Sequence, residues 1–364
     1  MRPEFPITKI ATSAYRVPTD RRPESDGTAV WSATTLVLVE AEAGGMRGTG
    51  WSYGSAAIAR YIEEVLRDVV EGRDALANRE IWQRLNARVR NDGRNGLASY
   101  AISAIDVALW DLHARLLDVA LCDLLGAARD RVPVYGSGGF TSYDLTTLRE
   151  QLAGWVRDGI NAVKMKVGRD PAADPSRVAA ARKAIGSGAE LFVDGNGAYG
   201  VKQALAMAAA FAESGVTWFE QPVDPRDLAG IKLVRQMAPA GMAIASGEYI
   251  TDTADAPEIA AAVDVLQADA TRCGGYTGFL AIDGYCEAKR KPLSTHCAPM
   301  LHLHVATASL RVRHQEYFYD HARIEKMLFD GFIEPVDGTL RPDRTRSGHG
   351  LQFKHADACK YEAA

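Results

Sequence analysis

The sequence predicts an α/β protein: a closed (β/α)8 barrel with an N-terminal α+β capping domain that the C-terminal tail completes. Three observations carry that reading. From about Val132, short apolar runs alternate with amphipathic stretches, and eight strand candidates result. Several runs end on an ionisable side chain, namely Lys164 and Lys166, Asp194, Glu220, Glu248, Asp269 and His296. The intervals are roughly the 20 to 30 residues that one βα unit occupies. Before Val132 the pattern differs, with β-rich text followed by long helical periodicity. Eight repeats favour a closed barrel over an open doubly wound sheet, which more often shows about five or six strands. No Gly-x-Gly-x-x-Gly follows an opening strand, so dinucleotide binding has no support.

In chain order, residues 34–40 read as a strand by their β-branched content. Gly44-Gly45, Gly48 and Gly50 predict a hairpin and a following turn. Residues 57–70, 78–89 and 97–125 carry helical periodicity, and 101–112 is apolar enough for a buried packing helix. Residues 1–127 are therefore assigned to the capping domain. Strands are predicted at 132–135, 162–167, 191–193, 217–219, 243–246, 265–267, 292–295 and 315–318. The first four are followed by helices around 145–158, 175–185, 202–214 and 228–237, which gives a barrel domain over 128–334. The turn-rich tail, 335–364, is expected to pack back on the cap.

With 364 residues, 47% hydrophobic and a net charge of −4, the chain reads as an ordinary globular enzyme. Its basic residues are scattered, so neither nucleic acid nor an acidic membrane surface is indicated. No apolar stretch reaches the 18 or so residues of a membrane span, and residues 1–9 lack the apolar core of a signal peptide, which predicts a cytoplasmic protein. Five widely spaced cysteines without a Cys-x-x-Cys pair read as reduced thiols.

The strand ends carry the chemistry. In a closed parallel barrel every strand C-terminus opens on one face, so Asp194, Glu220 and Glu248 would converge there. Three carboxylates at one mouth repel unless a cation joins them, and an all-oxygen set favours Mg²⁺ over zinc. Taken singly, each acid could be a helix cap or a surface strand end. Lys164 and Lys166, at i and i+2, point the same way into the mouth. A lysine beside another cation and near a metal is expected to have a lowered pKa and to serve as a base; a solvated basic strand end is the plainer alternative. Asp269 and His296 end neighbouring strands, where the carboxylate would fix the imidazole tautomer and form a second acid/base. A rival reading takes His296 and Cys297 with His302 and His304 as a zinc cluster, although i, i+2 spacing points the last two to different helix faces. Glu316 could donate a hydrogen bond if protonated, or pair with Arg313 or His314. Asn196 could add a neutral donor.

Together, Lys164-Met165-Lys166, Val193-Asp194-Gly195-Asn196, Phe219-Glu220-Gln221-Pro222, Gly247-Glu248, and Asp269 with His296 resemble the enolase superfamily, mandelate racemase subgroup. The resemblance extends from the helix 103–112 to Gly348-His349-Gly350-Leu351. It departs at Gln221, where many members carry Glu, and at Asp118, where the cap usually has Gly. It implies that Asp194, Glu220 and Glu248 hold one Mg²⁺ per subunit. It also implies that Lys166 and His296 act on opposite faces of the carbon α to a substrate carboxylate, through an enediolate. Lys164 and Glu316 would assist at that carboxylate. Substrate would be read by the loops 18–31 and 50–54, where Arg21, Arg22, Glu24, Asp26, Trp31, Trp51 and Tyr53 offer contacts; Trp31 and Tyr53, with Lys164, are the named candidates. The expected reaction is dehydration of an acid sugar to a 2-keto-3-deoxy acid. Racemisation, epimerisation and cycloisomerisation use the same half-reaction, and a binding protein or zinc hydrolase on the same barrel are rivals of other classes. The expected partners are a small carboxylate-bearing substrate and further copies of the chain in a homo-oligomer.

Overall fold

The computed structural model describes residues 4–20 and 23–363. A three-stranded antiparallel sheet comes first, with Lys9–Pro18, Ala33–Ala43 and Met46–Tyr53 side by side in that order. Gly44 and Gly45 make its hairpin turn with φ of 56° and 77°. Gly48 and Gly50 correct the sequence reading, because they lie inside the third strand rather than in a turn. A Cβ on either would stand 2.3 Å from the backbone oxygen of Ala108 or Ala104. These glycines exist for a close helix crossing, which local sequence does not distinguish from a turn signal.

The crossing helix is Leu97–Leu116. Ile105, Ala108, Leu109 and Leu112 pack with Val37, Val39 and Ala41 of the sheet, while Val107 and Ala114 join the barrel's core. Burial on both faces explains why its sequence is apolar all round. The predicted helix over 97–125 is interrupted after Leu116: Asp118 adopts φ 52°, and a short helix, Leu121–Leu124, follows. In between, Ala120 bridges to Gly348 of the tail, a tertiary pairing that periodicity does not report. The helical stretch 57–70 contains a π-turn at Ile62–Leu66.

Eight parallel strands close a TIM barrel: Val132–Gly138, Ala162–Lys166, Glu190–Asp194, Val216–Glu220, Ala243–Ser246, Val265–Ala268, Leu293–Thr295 and Val312–Phe318. Closure is direct, since Gln315 to Phe318 pair with Val134 to Ser137. Side chains alternate as the pleat requires. Val163, Met165, Leu191, Val193 and Phe219 face the surrounding helices. Tyr135, Phe192, Trp218, Ala245 and Val265 fill the interior, with the Phe192 and Trp218 rings stacked at 5.4 Å. That apolar floor leaves the next inward layer, at the strand C-termini, for polar groups.

Two further segments frame the mouth. The hairpin Glu24–Ser25/Val30–Trp31 lies over the barrel loops: Ser25 and Asp26 carbonyls accept from Thr141, and the Arg169 guanidinium donates to Asp26 and Ala29 carbonyls. The tail touches both parts of the molecule. Thr339–Leu340 pairs with the start of the first barrel strand, the His349 backbone N–H donates to Asp111 on the crossing helix, and the Ala363 N–H donates to Ala14. Among the described residues, no helix is long and apolar enough to cross a membrane.

Candidate active site

Strand register assembles the site. Lys166 is level with Asp194, and Asp194 with Glu220, so three consecutive strands deliver a cation and two carboxylates in one row. Glu248 follows the fifth strand after Gly247, whose φ of 132° and 2.3 Å clearance from the Gln267 carbonyl oxygen admit no side chain. Asp194, Glu220 and Glu248 each place an oxygen within 4.8 Å of the others, and all three are buried. Ala268 pairs with Thr295, so Asp269 and His296 leave adjacent strands at one height. The His296 Nδ1–H donates to Asp269 Oδ2 at 2.8 Å, leaving Nε2 3.1 Å from Glu248 Oε2.

The two basic groups therefore flank the carboxylate cluster. Lys166 Nζ lies 2.5 Å from Asp194 Oδ2 at one end, and His296 Nε2 meets Glu248 at the other. Lys164 sits beneath, donating to both Glu220 oxygens at 2.7 and 2.8 Å and lying 2.8 Å from Glu316 Oε1. A cavity of about 360 Å³ opens above, lined by Lys166, Asn196, Glu248, Arg272, His296 and Cys297 on the barrel side. Asp26, Trp31, Thr34, Thr35 and Tyr53 line it from the cap.

Residues 9–126 match the mandelate racemase/muconate lactonizing enzyme N-terminal domain, and residues 147–358 match the enolase C-terminal domain-like family. The chain belongs to the mandelate racemase/muconate lactonizing enzyme family. It is 33% identical to 3,6-anhydro-alpha-L-galactonate cycloisomerase of Streptomyces coelicolor, over 96% of this chain and 98% of that one. A solved mandelate racemase/muconate lactonizing enzyme-like protein from Rubrobacter xylanophilus is 51% identical and superposes with a TM-score of 0.97, covering 98% of this chain and all of that one. L-Talarate dehydratase from Polaromonas sp. JS666, complexed with Mg and L-glucarate, is 31% identical with a TM-score of 0.88, covering 99% and 98% of the two chains.

The family member's donor set fits a hard divalent ion, being three buried carboxylates with no sulfur or imidazole among them. Their electrostatics agree. Burial and the neighbouring Asp194 push Glu220 up to about 8, whereas Lys166 and Lys164 outweigh burial and hold Asp194 below the usual carboxylate range. The cluster is thus crowded with negative charge that two lysines only partly balance.

Three expectations need correction. Lys166 is not lowered: burial opposes its ammonium form, but the Asp194 carboxylate outweighs burial and raises it. Sequence weighed the neighbouring lysine and not the carboxylate level with it on the next strand. Glu316 is not a protonated donor, and Arg313 and His314 are not its partners. Lys164 and His296 outweigh burial and hold it well below the usual range, and its Oε2 accepts from the Cys297 N–H at 2.7 Å. The cluster of His296, Cys297, His302 and His304 does not assemble. His302 Nδ1 faces the Cys297 and Ala298 carbonyls while Nε2 accepts from Ala270, and His304 lies between the Cys122 N–H and the His349 carbonyl.

Among the cap candidates, Trp31 and Tyr53 line the cavity; Trp51 and Glu24 do not. Trp51 Nε1 donates to Glu325, and Glu24 is buried as the acceptor for Trp31 Nε1. Arg21 and Arg22 lie outside the described residues. Asn196 lines the cavity, with its backbone N–H on Asp194 Oδ1. Sequence reasoning missed Arg272, which reaches Asp269 at 3.4 Å and Glu248 at 3.8 Å and lies over the Tyr100 and Tyr249 rings. Its position three residues after a strand-end acid was the available signal. His321 was also missed, because its stacking on Tyr53 at 3.5 Å joins residues 268 positions apart.

Proposed function

We propose that the protein is a Mg²⁺-dependent carbon–oxygen lyase that removes the proton α to the carboxylate of an acid sugar, an aldonate or aldarate, and expels the β-hydroxyl to give a 2-keto-3-deoxy acid. One observation carries the reading. Lys166 and the Asp269–His296 dyad stand at opposite ends of a buried three-carboxylate cluster that opens into a single cavity.

Asp194, Glu220 and Glu248 would hold the ion, which when bound supplies the positive charge that binds the substrate carboxylate and offsets the negative charge developing as the α-proton leaves. Lys166 serves as a base only as the free amine, so its hold on Asp194 must loosen once that carboxylate is engaged elsewhere. Asp269 accepts the Nδ1–H of His296 and so presents Nε2 to the cavity. As imidazolium, His296 gives its proton to the departing β-hydroxyl; the C–O bond breaks, water leaves, and the enol tautomerises to the ketone. Lys164, tied to Glu220 and Glu316, sets a fixed positive charge beside the carboxylate. Trp31 and Tyr53 face the rest of the sugar from the cap.

Cycloisomerisation is the second reading, supported by similarity over nearly the full length to a cycloisomerase. There the same α-proton chemistry opens or closes a ring without loss of water. Incubating aldonates, aldarates and their lactones or anhydro forms with protein and Mg²⁺ in D₂O, followed by NMR, separates the two. Dehydration gives a semicarbazide-reactive ketone with loss of water. Deuterium exchange at the α-carbon with no net product would sink the dehydratase reading.

A further inference from the structure

Beside the carboxylate cluster, at and beneath the cavity wall, stands a second set of donors of different chemistry. His296 Nε2 lies 3.2 Å from Cys297 Sγ and 4.0 Å from Glu316 Oε2, and one ligand atom from each residue lies within 4.8 Å of the others. Imidazole, thiol and carboxylate at such separations match three corners of a tetrahedron around an ion with bonds of about 2.0–2.3 Å, whose ligands stand roughly 3.5 Å apart. The backbone is shaped for this grouping. Cys297 and Ala298 have φ of 52° and 39°, consecutive left-handed residues that fold the thiol back beside the ring of the preceding histidine. The Cys297 N–H then pins Glu316 Oε2 at 2.7 Å. Both His296 and Cys297 line the cavity, so an ion has a path to them.

We propose that His296, Cys297 and Glu316 form a second metal site, selective for thiophilic ions such as Zn²⁺ or Co²⁺, whose occupation switches the enzyme off. The two sets sort cations by softness: Mg²⁺ takes the oxygen trio and rejects thiolate, whereas Zn²⁺ and Co²⁺ prefer nitrogen and sulfur. Binding forms a metal–Sγ bond, releases the thiol proton to solvent and engages the Nε2 lone pair. The metal site itself stands independently of the reaction; its inhibitory effect rests on the proposed role of His296 in proton transfer.

Co²⁺ titrated into Mg²⁺-saturated protein tests the site without any substrate. A near-ultraviolet thiolate-to-cobalt charge-transfer band saturating at one equivalent is expected, with affinity lowered by about 10- to 100-fold and the band lost in Cys297→Ser. In the unaltered protein, Zn²⁺ should protect Cys297 from alkylation, read by peptide mass, without slowing the exposed Cys359. Absence of the band, or Co²⁺ that merely displaces Mg²⁺ and shows no sulfur ligation, would overturn the site. So would a band that survives in Cys297→Ser. If the band forms but Zn²⁺ leaves β-elimination to the 2-keto-3-deoxy acid intact, the site stands and the switch falls, together with the role of His296.

Discussion

At the scale of single residues, the site is a chain of charges each held by the next. Lys166 and His296 are the two groups proposed to move a proton; Lys166 is held by Asp194, and His296 by Asp269 and Glu248. Lys166→Met and His296→Asn are therefore expected to lower turnover by about 10²- to 10⁴-fold while leaving Mg²⁺ affinity within a few-fold, as measured by kinetics and calorimetry. Comparable activity in either variant would remove that residue from proton transfer. Asp269→Asn tests orientation instead. Burial opposes the imidazolium, but the Glu248 carboxylate, with the Asp269 hydrogen bond behind it, outweighs burial and raises His296 above its ordinary value. Removing one of these carboxylates destabilises the imidazolium, so the limb of the pH–rate profile belonging to His296 should move to lower pH, with activity down about 10- to 100-fold. A limb that stays in place would mean that another group sets it.

At the scale of elements, the decisive features are where strands stop and how closely elements approach. Strand register puts Lys166, Asp194 and Glu220 in a row, but Glu248 reaches the cluster only because Gly247 turns tightly against the sixth strand. Gly247→Ala forces a Cβ into the Gln267 carbonyl at a left-handed φ, and the backbone must move. Mg²⁺ affinity should fall by about 10- to 100-fold in a calorimetric titration, with the protein still folded by circular dichroism. Unchanged affinity would show that Glu248 is not positioned by this turn. Much of this scale was legible: the strand alternation and the acids at strand ends are patterns of two to four residues. The role of Gly48 and Gly50 was not, because glycine reads the same way whether a turn or a crossing helix needs it.

At the scale of the whole molecule, cap and barrel share one boundary, and buried acids lie along it. Glu24 of the cap hairpin is buried near Asp320, which is itself paired with Arg323 and hydrogen-bonded by Thr34. Burial, then Asp320, pushes Glu24 up to about 8, with Asp20 adding to the rise while Trp31 and Arg323 oppose it. The sign follows from linkage: a folded value above the unfolded one means that the native state keeps a proton which the unfolded chain releases. The contribution of Glu24 to stability is thus full below about pH 4.5 and is lost as pH rises to about 8. Relative to Glu24→Gln, the wild type should lose on the order of 1–3 kcal/mol across that window in denaturant titrations. A pH-independent difference would show that Glu24 ionises freely. By itself the sequence determined the barrel, the three-carboxylate cluster and the Asp269–His296 partnership, because strand periodicity and topology bring all strand ends to one face. Only the tertiary structure decided the partners of Lys164, Lys166 and Glu316, the place of Arg272 and His321, and which cap aromatics face the cavity. Those depend on register between strands and on contacts across hundreds of residues, and no local pattern encodes a distance.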